Sequence, residues 1–252
     1  HDGDWFGYFG GLTLTVDKTG TRLPSPCCHP DLYEVNLRTH ATRRIAPRPG
    51  EDADRDWLVD GAGKVVAMLD RVHQSGKWTL ANRQRATLAR GVSSLGKVQI
   101  IGFAPDDASI IYAVRDDKDQ TDEWFTIPLA GGESKPYLSD TAIRHTFYDS
   151  GRRIIGYVND TAEETAHFID PVRDRIYQAS TRAFPGKRMR LRDASDDFKH
   201  LIVTTEGDGD PLVWWSVDIA KGAADVLGTS YAVPSDQVGA FRLVPFKAAD
   251  GL

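Results

Sequence analysis

Cysteine is nearly absent from this chain: two occur in 252 residues, adjacent at Cys27 and Cys28. Neighbouring cysteines rarely bridge each other, because the ring they would close is strained. They read as free thiols in a turn between Pro26 and Pro30. Adding His29 makes a Cys-Cys-His set, but the spacing of a metal site and its second ligand pair are missing. A basic surplus is lacking too. Thirty-one Lys and Arg face 36 Asp and Glu, a formal net charge of −5, which argues against a general nucleic-acid binder. No apolar run approaches the roughly 18–20 residues of a membrane span. No signal-peptide pattern occurs, and a chain opening at His1 leaves localisation open between bacterial cytoplasm and periplasm. No segment sustains a helical period, so the expected fold is all-β.

What the chain has is a repeat. Val65-Val66-Ala67-Met68-Leu69, Ile110-Ile111-Tyr112-Ala113-Val114, Ile154-Ile155-Gly156-Tyr157-Val158 and Leu201-Ile202-Val203-Thr204-Thr205 start 45, 44 and 47 residues apart. An aromatic series, Tyr33, Trp78, Trp124, Phe168 and Trp214, keeps the same phase with steps of 45, 46, 44 and 46. Four short strands per unit of roughly 40–45 residues is the signature of a β-propeller blade. A β-helix has shorter rungs, a leucine-rich repeat carries a Leu/Asn ladder that is absent here, and independent sandwiches need more residues per unit.

The third repeat shows the plan. Gln99 to Ala104 reads as a strand and Pro105-Asp106-Asp107-Ala108 as a turn. Ile110 to Val114 is a second strand, and Arg115 to Asp122 a loop. Glu123 to Leu129 is a third strand, Ala130-Gly131-Gly132-Glu133 a hairpin turn, and Ser134 to Leu138 a fourth strand. The first turn becomes Asp60-Gly61-Ala62-Gly63, Asp149-Ser150-Gly151 and Ser195-Asp196-Asp197 in other repeats. The late turn becomes Arg38-Thr39-His40, Asp170-Pro171-Val172-Arg173 and Ala220-Lys221-Gly222. Second strands are continuous β-rich runs, as expected when both faces are buried between neighbouring blades.

The organisation expected is a β-propeller of four-stranded antiparallel blades over residues 1–247. It has an irregular first blade at 1–47 and repeats at about 48–92, 93–139, 140–186 and 187–239. A closing or crossing strand follows at 240–247 and a linker begins at 248–252. About five repeats are visible, and they would form part of a seven-bladed ring.

Val244-Pro245-Phe246-Lys247-Ala248-Ala249-Asp250-Gly251-Leu252 resembles the crossing strand of the prolyl oligopeptidase family of serine peptidases, where the chain leaves a propeller and enters an α/β-hydrolase domain. Asp31-Leu32-Tyr33-Glu34-Val35-Asn36-Leu37, Trp57-Leu58-Val59-Asp60, Gly102-Phe103-Ala104-Pro105-Asp106 and Phe168-Ile169-Asp170-Pro171 resemble segments of the same family, especially its acylaminoacyl-peptidase-like members. The resemblance implies the non-catalytic propeller of a serine peptidase. Its partners would be a C-terminal α/β-hydrolase domain bearing a Ser-Asp-His triad and short peptide substrates; a homodimer is compatible with it. An alternative is an interaction module, since turns such as Phe103-Ala104-Pro105-Asp106 also resemble the periplasmic Tol-system propellers.

Within this chain the sequence nominates no catalytic residue, no cofactor and no metal ligand. A hydrolase nucleophile needs a strained Gly-x-Ser-x-Gly elbow to expose its hydroxyl. Gly228-Thr229-Ser230 and Gly132-Glu133-Ser134 lack that pattern. The carboxylates of Arg115 to Glu123 lack the central Gly of a calcium loop and read as a solvated connector. Glu206-Gly207-Asp208-Gly209-Asp210 reads as a hairpin turn. The basic run Lys187-Arg188-Met189-Arg190-Leu191-Arg192 reads as a strand with one solvated face rather than a phosphate contact. Trp214, at the regular aromatic position, reads as core.

Overall fold

The computed structural model describes residues 3–16, 18–24, 30–50, 52–93, 97–116, 118, 121–161, 164–240 and 244. Cys27, Cys28 and His29, and the segment resembling a crossing strand apart from Val244, lie outside them. The chain divides into two compact units.

The first unit comprises His1–Ala142 and Tyr148–Ile154. It begins with β1 (Phe6–Gly11), the hairpin of β2 (Leu14–Val16) and β3 (Arg22–Pro24), β4 (Asp31–Asn36) and β5 (Thr42–Ala46). The order β1-β4-β5 makes a three-stranded sheet. A four-stranded meander follows, with β6 (Ala53–Val59), β7 (Val65–Val72), β8 (Lys77–Asn82) and β9 (Thr87–Val92) in sequence order. The next is built the same way from β10 (Val98–Phe103), β11 (Ser109–Arg115), β12 (Asp122–Pro128) and the two-residue β13 (Lys135–Pro136). All these pairings are antiparallel.

Leu69, Leu80, Ile110 and Ile127 are fully buried in one cluster that both four-stranded sheets share. The edge strand β10 packs against β6 and β7 of the preceding sheet, which is how stacked blades meet. β11 is buried on both faces from Ser109 to Ala113, and this is why its sequence does not alternate. At Gly102 the backbone of the next hairpin comes so close that a Cβ would lie 2.6 Å from the Arg152 carbonyl oxygen. Phe103 forms a parallel bridge with Arg153 there.

The second unit comprises Ile143–Phe147 and Ile155–Leu252. Its strands belong to two sheets. One is β14 (Ile143–Tyr148), β15 (Ile154–Asn159) and β16 (Ala166–Phe168), and the other is β17 (Lys187–Ala194), β18 (His200–Gly207), β19 (Asp210–Asp218) and β20 (Ala223–Thr229). Phe168, Met189, Leu191, Phe198, Leu201 and Val203 form its buried core. The all-β class and the antiparallel blade-like sheets agree with the repeat read from the sequence, with one correction. Residues expected as a late turn and fourth strand form α1 (Pro171–Arg182) instead. Asp170 is its N-cap, accepting from the Val172 N–H at 2.9 Å. Pro171 occupies the first turn, where a missing N–H costs nothing. Tyr177 turns inward from this helix onto the Phe168 ring, 5.5 Å between centroids.

The first hairpin turn of successive sheets has one geometry. Gly63, Asp107, Arg152 and Phe198 donate to the carbonyls of Asp60, Ala104, Asp149 and Ser195, and their φ values are 76, 58, 69 and 58°. Only glycine adopts that region without a steric penalty of about 1–2 kcal/mol. Gly63→Ala is therefore expected to lower stability by about 1 kcal/mol, read as a fall in the urea midpoint. Gly61→Ala, two residues away in open space and without a positive φ, should leave the midpoint unchanged or raise it slightly.

Candidate functional site

Organised polar pairs link β6 to β7 in the first unit and β17 to β18 in the second. In the first unit Arg55 on β6 grips Asp70 on β7 with two bonds, 2.5 and 2.7 Å. Arg71 answers from β7, reaching Asp56 at 2.6 Å and the Val98 carbonyl of β10 at 2.7 Å. Forked guanidinium-to-carboxylate bonds of this kind hold two strands in register as well as attracting charge.

The basic run lies on β17 in the second unit. Met189 and Leu191 point into the core, as strand alternation requires, and the arginines take the other face. That face is less solvated than the sequence suggests. Arg190 bridges Glu164 at 2.7 Å and Glu206 at 3.0 Å, Arg144 holds Glu164 from β14 at 2.6 Å, and Arg188 lies 3.5 Å from Glu206. Arg192 donates to Thr204 Oγ1 at 2.9 Å and lies over the Trp214 ring, 5.8 Å from its centroid. The run is thus bound up in a network that joins two sheets, with both glutamates already engaged by arginines.

Trp214 corrects a second expectation. It is half-buried and donates its indole N–H to Ser230 Oγ at 2.8 Å. Its neighbour Trp215 packs against the core, 5.1 Å from the Phe184 ring. The pairing of β19 with β20 shifts register between these two residues, while against β18 Trp214 pairs with Thr204 as Trp124 pairs with Ala113 of β11.

The turn at Glu206 to Asp210 closes on itself. Asp210 is buried and accepts from Thr205 Oγ1 at 2.6 Å, Lys187 Nζ at 2.9 Å and the Val213 N–H at 3.0 Å. Burial works to raise its carboxyl pKa, but the bonds from Thr205, Lys187 and Val213 outweigh it and hold the group below the ordinary carboxylate range. Asp106, in the Phe-Ala-Pro-Asp turn, is likewise consumed locally, accepting from the Ala108 N–H and from both the N–H and hydroxyl of Ser109. In the Arg115 to Glu123 connector, Asp116 accepts from the Lys118 N–H at 2.6 Å and Arg115 lies 3.8 Å from Asp122. Among the described residues no three His, Cys, Asp or Glu side chains gather as a metal site would need.

No family model matches the chain, and no curated protein does. Solved structures do. Oligopeptidase B from Trypanosoma brucei is 12% identical over 82% of this chain and 32% of its own, with a TM-score of 0.39. Dipeptidyl peptidase 4 from Porphyromonas gingivalis is 10% identical over 80% and 30%, with a TM-score of 0.41. A post-proline cleaving enzyme from Rickettsia typhi is 8% identical over 82% and 33%, with a TM-score of 0.38. The chain spans about a third of the length of these peptidases. An oligogalacturonate lyase and a streptogramin B lyase match as well, and no activity follows from likenesses at this level.

Proposed function

We propose that this chain is the propeller portion of a prolyl oligopeptidase-type serine peptidase. It would restrict and guide short peptides toward a Ser-Asp-His triad on an α/β-hydrolase domain elsewhere in the parent protein. The observation that supports the reading most is the succession of antiparallel sheets, whose second strands recur at intervals of 44 to 47 residues, together with the family-like segments from Asp31 to Leu252. The organised charges fit a framework role. They pair Arg with carboxylate across strands. The domain boundaries, the seven-bladed ring and the hydrolase partner belong to the same proposal.

By itself the chain should hydrolyse no peptide anilide and take up no serine-directed fluorophosphonate label. Turnover abolished by such a label would overturn the assignment of a non-catalytic role. The parent reading frame supplies the complementary test: a Gly-x-Ser-x-Gly segment downstream of Leu252 is expected, and a frame without one would overturn the peptidase reading.

A further inference from the structure

A groove of roughly 610 Å³ in the first unit is lined by β5, by the β6–β7 turn and by the β8–β9 turn. Five cations line it, Arg43, Arg44, Lys64, Arg83 and Arg85, with no acidic residue among its walls. Arg43 is paired with Glu34 at 2.8 Å and Arg44 with Asp31 at 3.5 Å. No carboxylate among the described residues pairs with Lys64, Arg83 or Arg85. This leaves a surplus of positive charge at one place on a chain whose formal net charge is −5. Unneutralised cations that converge on a concave surface raise the local concentration of anions.

The backbone of the turns that carry the cations is also fixed. Asp60 Oδ1 accepts from the Ala62 and Lys64 N–H groups, each at 2.9 Å, and so fixes the turn that carries Lys64. Asn82 is buried, and its Oδ1 accepts from the Gln84 and Ala86 N–H groups at 3.1 and 3.0 Å. Its Nδ2 donates to the Leu129 carbonyl of the next sheet at 3.0 Å. This clamps the turn that carries Arg83 and Arg85, with Arg85 at a φ of 64°. Side chains on turns fixed in this way lose less freedom when a ligand binds.

Two further features specify the ligand. The floor is apolar, formed by the half-buried Ile45, Val65 and Met68. One wall is a strand edge, since β5 pairs only with β4 among the described residues. A bare phosphate would use neither. An extended chain can pair with a sheet edge while its alternate side chains meet different surfaces.

We propose that this groove docks an extended acidic peptide segment, its carboxylates on Lys64, Arg83 and Arg85 and its backbone along β5. The inference stands apart from the peptidase reading, because it needs neither a hydrolase domain nor turnover.

A fluorescein-labelled peptide of alternating Glu and Val tests it by anisotropy, beside the same peptide with Lys for Glu. Saturable binding is expected for the acidic peptide alone, weakening steeply as salt rises from about 0.05 to about 0.5 M. Arg83→Gln with Arg85→Gln should weaken it about tenfold or more, as should N-methylation of alternate peptide nitrogens. All three exposed cations can be replaced without touching the core, and an unchanged urea midpoint verifies that the variants fold. The proposal is overturned if the acidic peptide does not saturate, or if the double variant binds it equally well. It is equally overturned if N-methylation has no effect, or if inorganic phosphate displaces the label as effectively as unlabelled peptide, which would mark a simple anion site.

Discussion

Phe198→Ala should destabilise the second unit by about 4 kcal/mol, seen as a large fall in the urea midpoint followed by tryptophan fluorescence. Phe198 is 1% exposed. Its ring meets Phe168 edge-on, 4.9 Å between centroids, and Arg173 of α1 approaches it to 5.9 Å. It therefore joins the β17–β18 turn to β16 and the helix, and truncation leaves a cavity among three elements. Since whole domains are stable by about 5–15 kcal/mol, the variant should sit near its unfolding limit. Phe198 also holds a φ of 58°, which is costly for any residue with a Cβ. Phe198→Gly removes the same ring but relieves that backbone, so it should be about 1 kcal/mol more stable than Phe198→Ala. A glycine variant less stable than the alanine variant would show that the turn is not strained.

Asp210→Ala should cost about 3 kcal/mol and change how stability depends on pH. Its carboxylate satisfies two side chains and one backbone N–H in a site whose Asp210 side chain is 0% exposed. Removing it takes the acceptor from the Val213 N–H and from the buried Thr205 O–H, whose oxygen still accepts from the Trp215 indole at 2.9 Å, at a cost of roughly 1–3 kcal/mol for each donor left unpaired. Lys187 is about a third exposed and can turn to water, which keeps the total at the low end of the range for a broken buried pair. The sign of the acid dependence follows from the depressed pKa. The folded state binds the proton more weakly than the unfolded chain does. The stabilisation is complete above the unfolded carboxylate value and is lost as pH falls through the folded one. Denaturation midpoints of the wild-type chain should therefore fall on acidification below the ordinary carboxylate range, and those of Asp210→Ala should fall less. Parallel pH profiles for the two would mean that Asp210 is not linked to folding through its charge.

The repeat was legible because it is made of local chemistry. Continuous β-branched runs place β7, β11, β15 and β18 to within about three residues, since each strand's preference is written in its own residues. The first-turn series is legible for the same reason, with Gly63 at its least strained position. α1 was legible in part. Asp170-Pro171 is a helix-start signal, but the segment also matched the late turn of the repeat, and the inward packing of Tyr177 on Phe168 favours the helix. Trp214 keeps the spacing of the series and pairs with Thr204 of β18 as Trp124 pairs with Ala113 of β11, so only the packing of the folded chain shows that its neighbour Trp215, on the opposite face of the strand, is the one set against the core.

By itself, then, the sequence determined the all-β class, the period, the strand positions and the lack of a nucleophile elbow, because each depends on residues within one hairpin. Only the tertiary structure decided which charges are neutralised. Arg190 meets both Glu206 and Glu164, whereas Lys64, Arg83 and Arg85 come from two hairpin turns to a shared groove with no carboxylate among its walls. Spacing along the chain carries no record of such meetings, for they arise when separate hairpins close on one another.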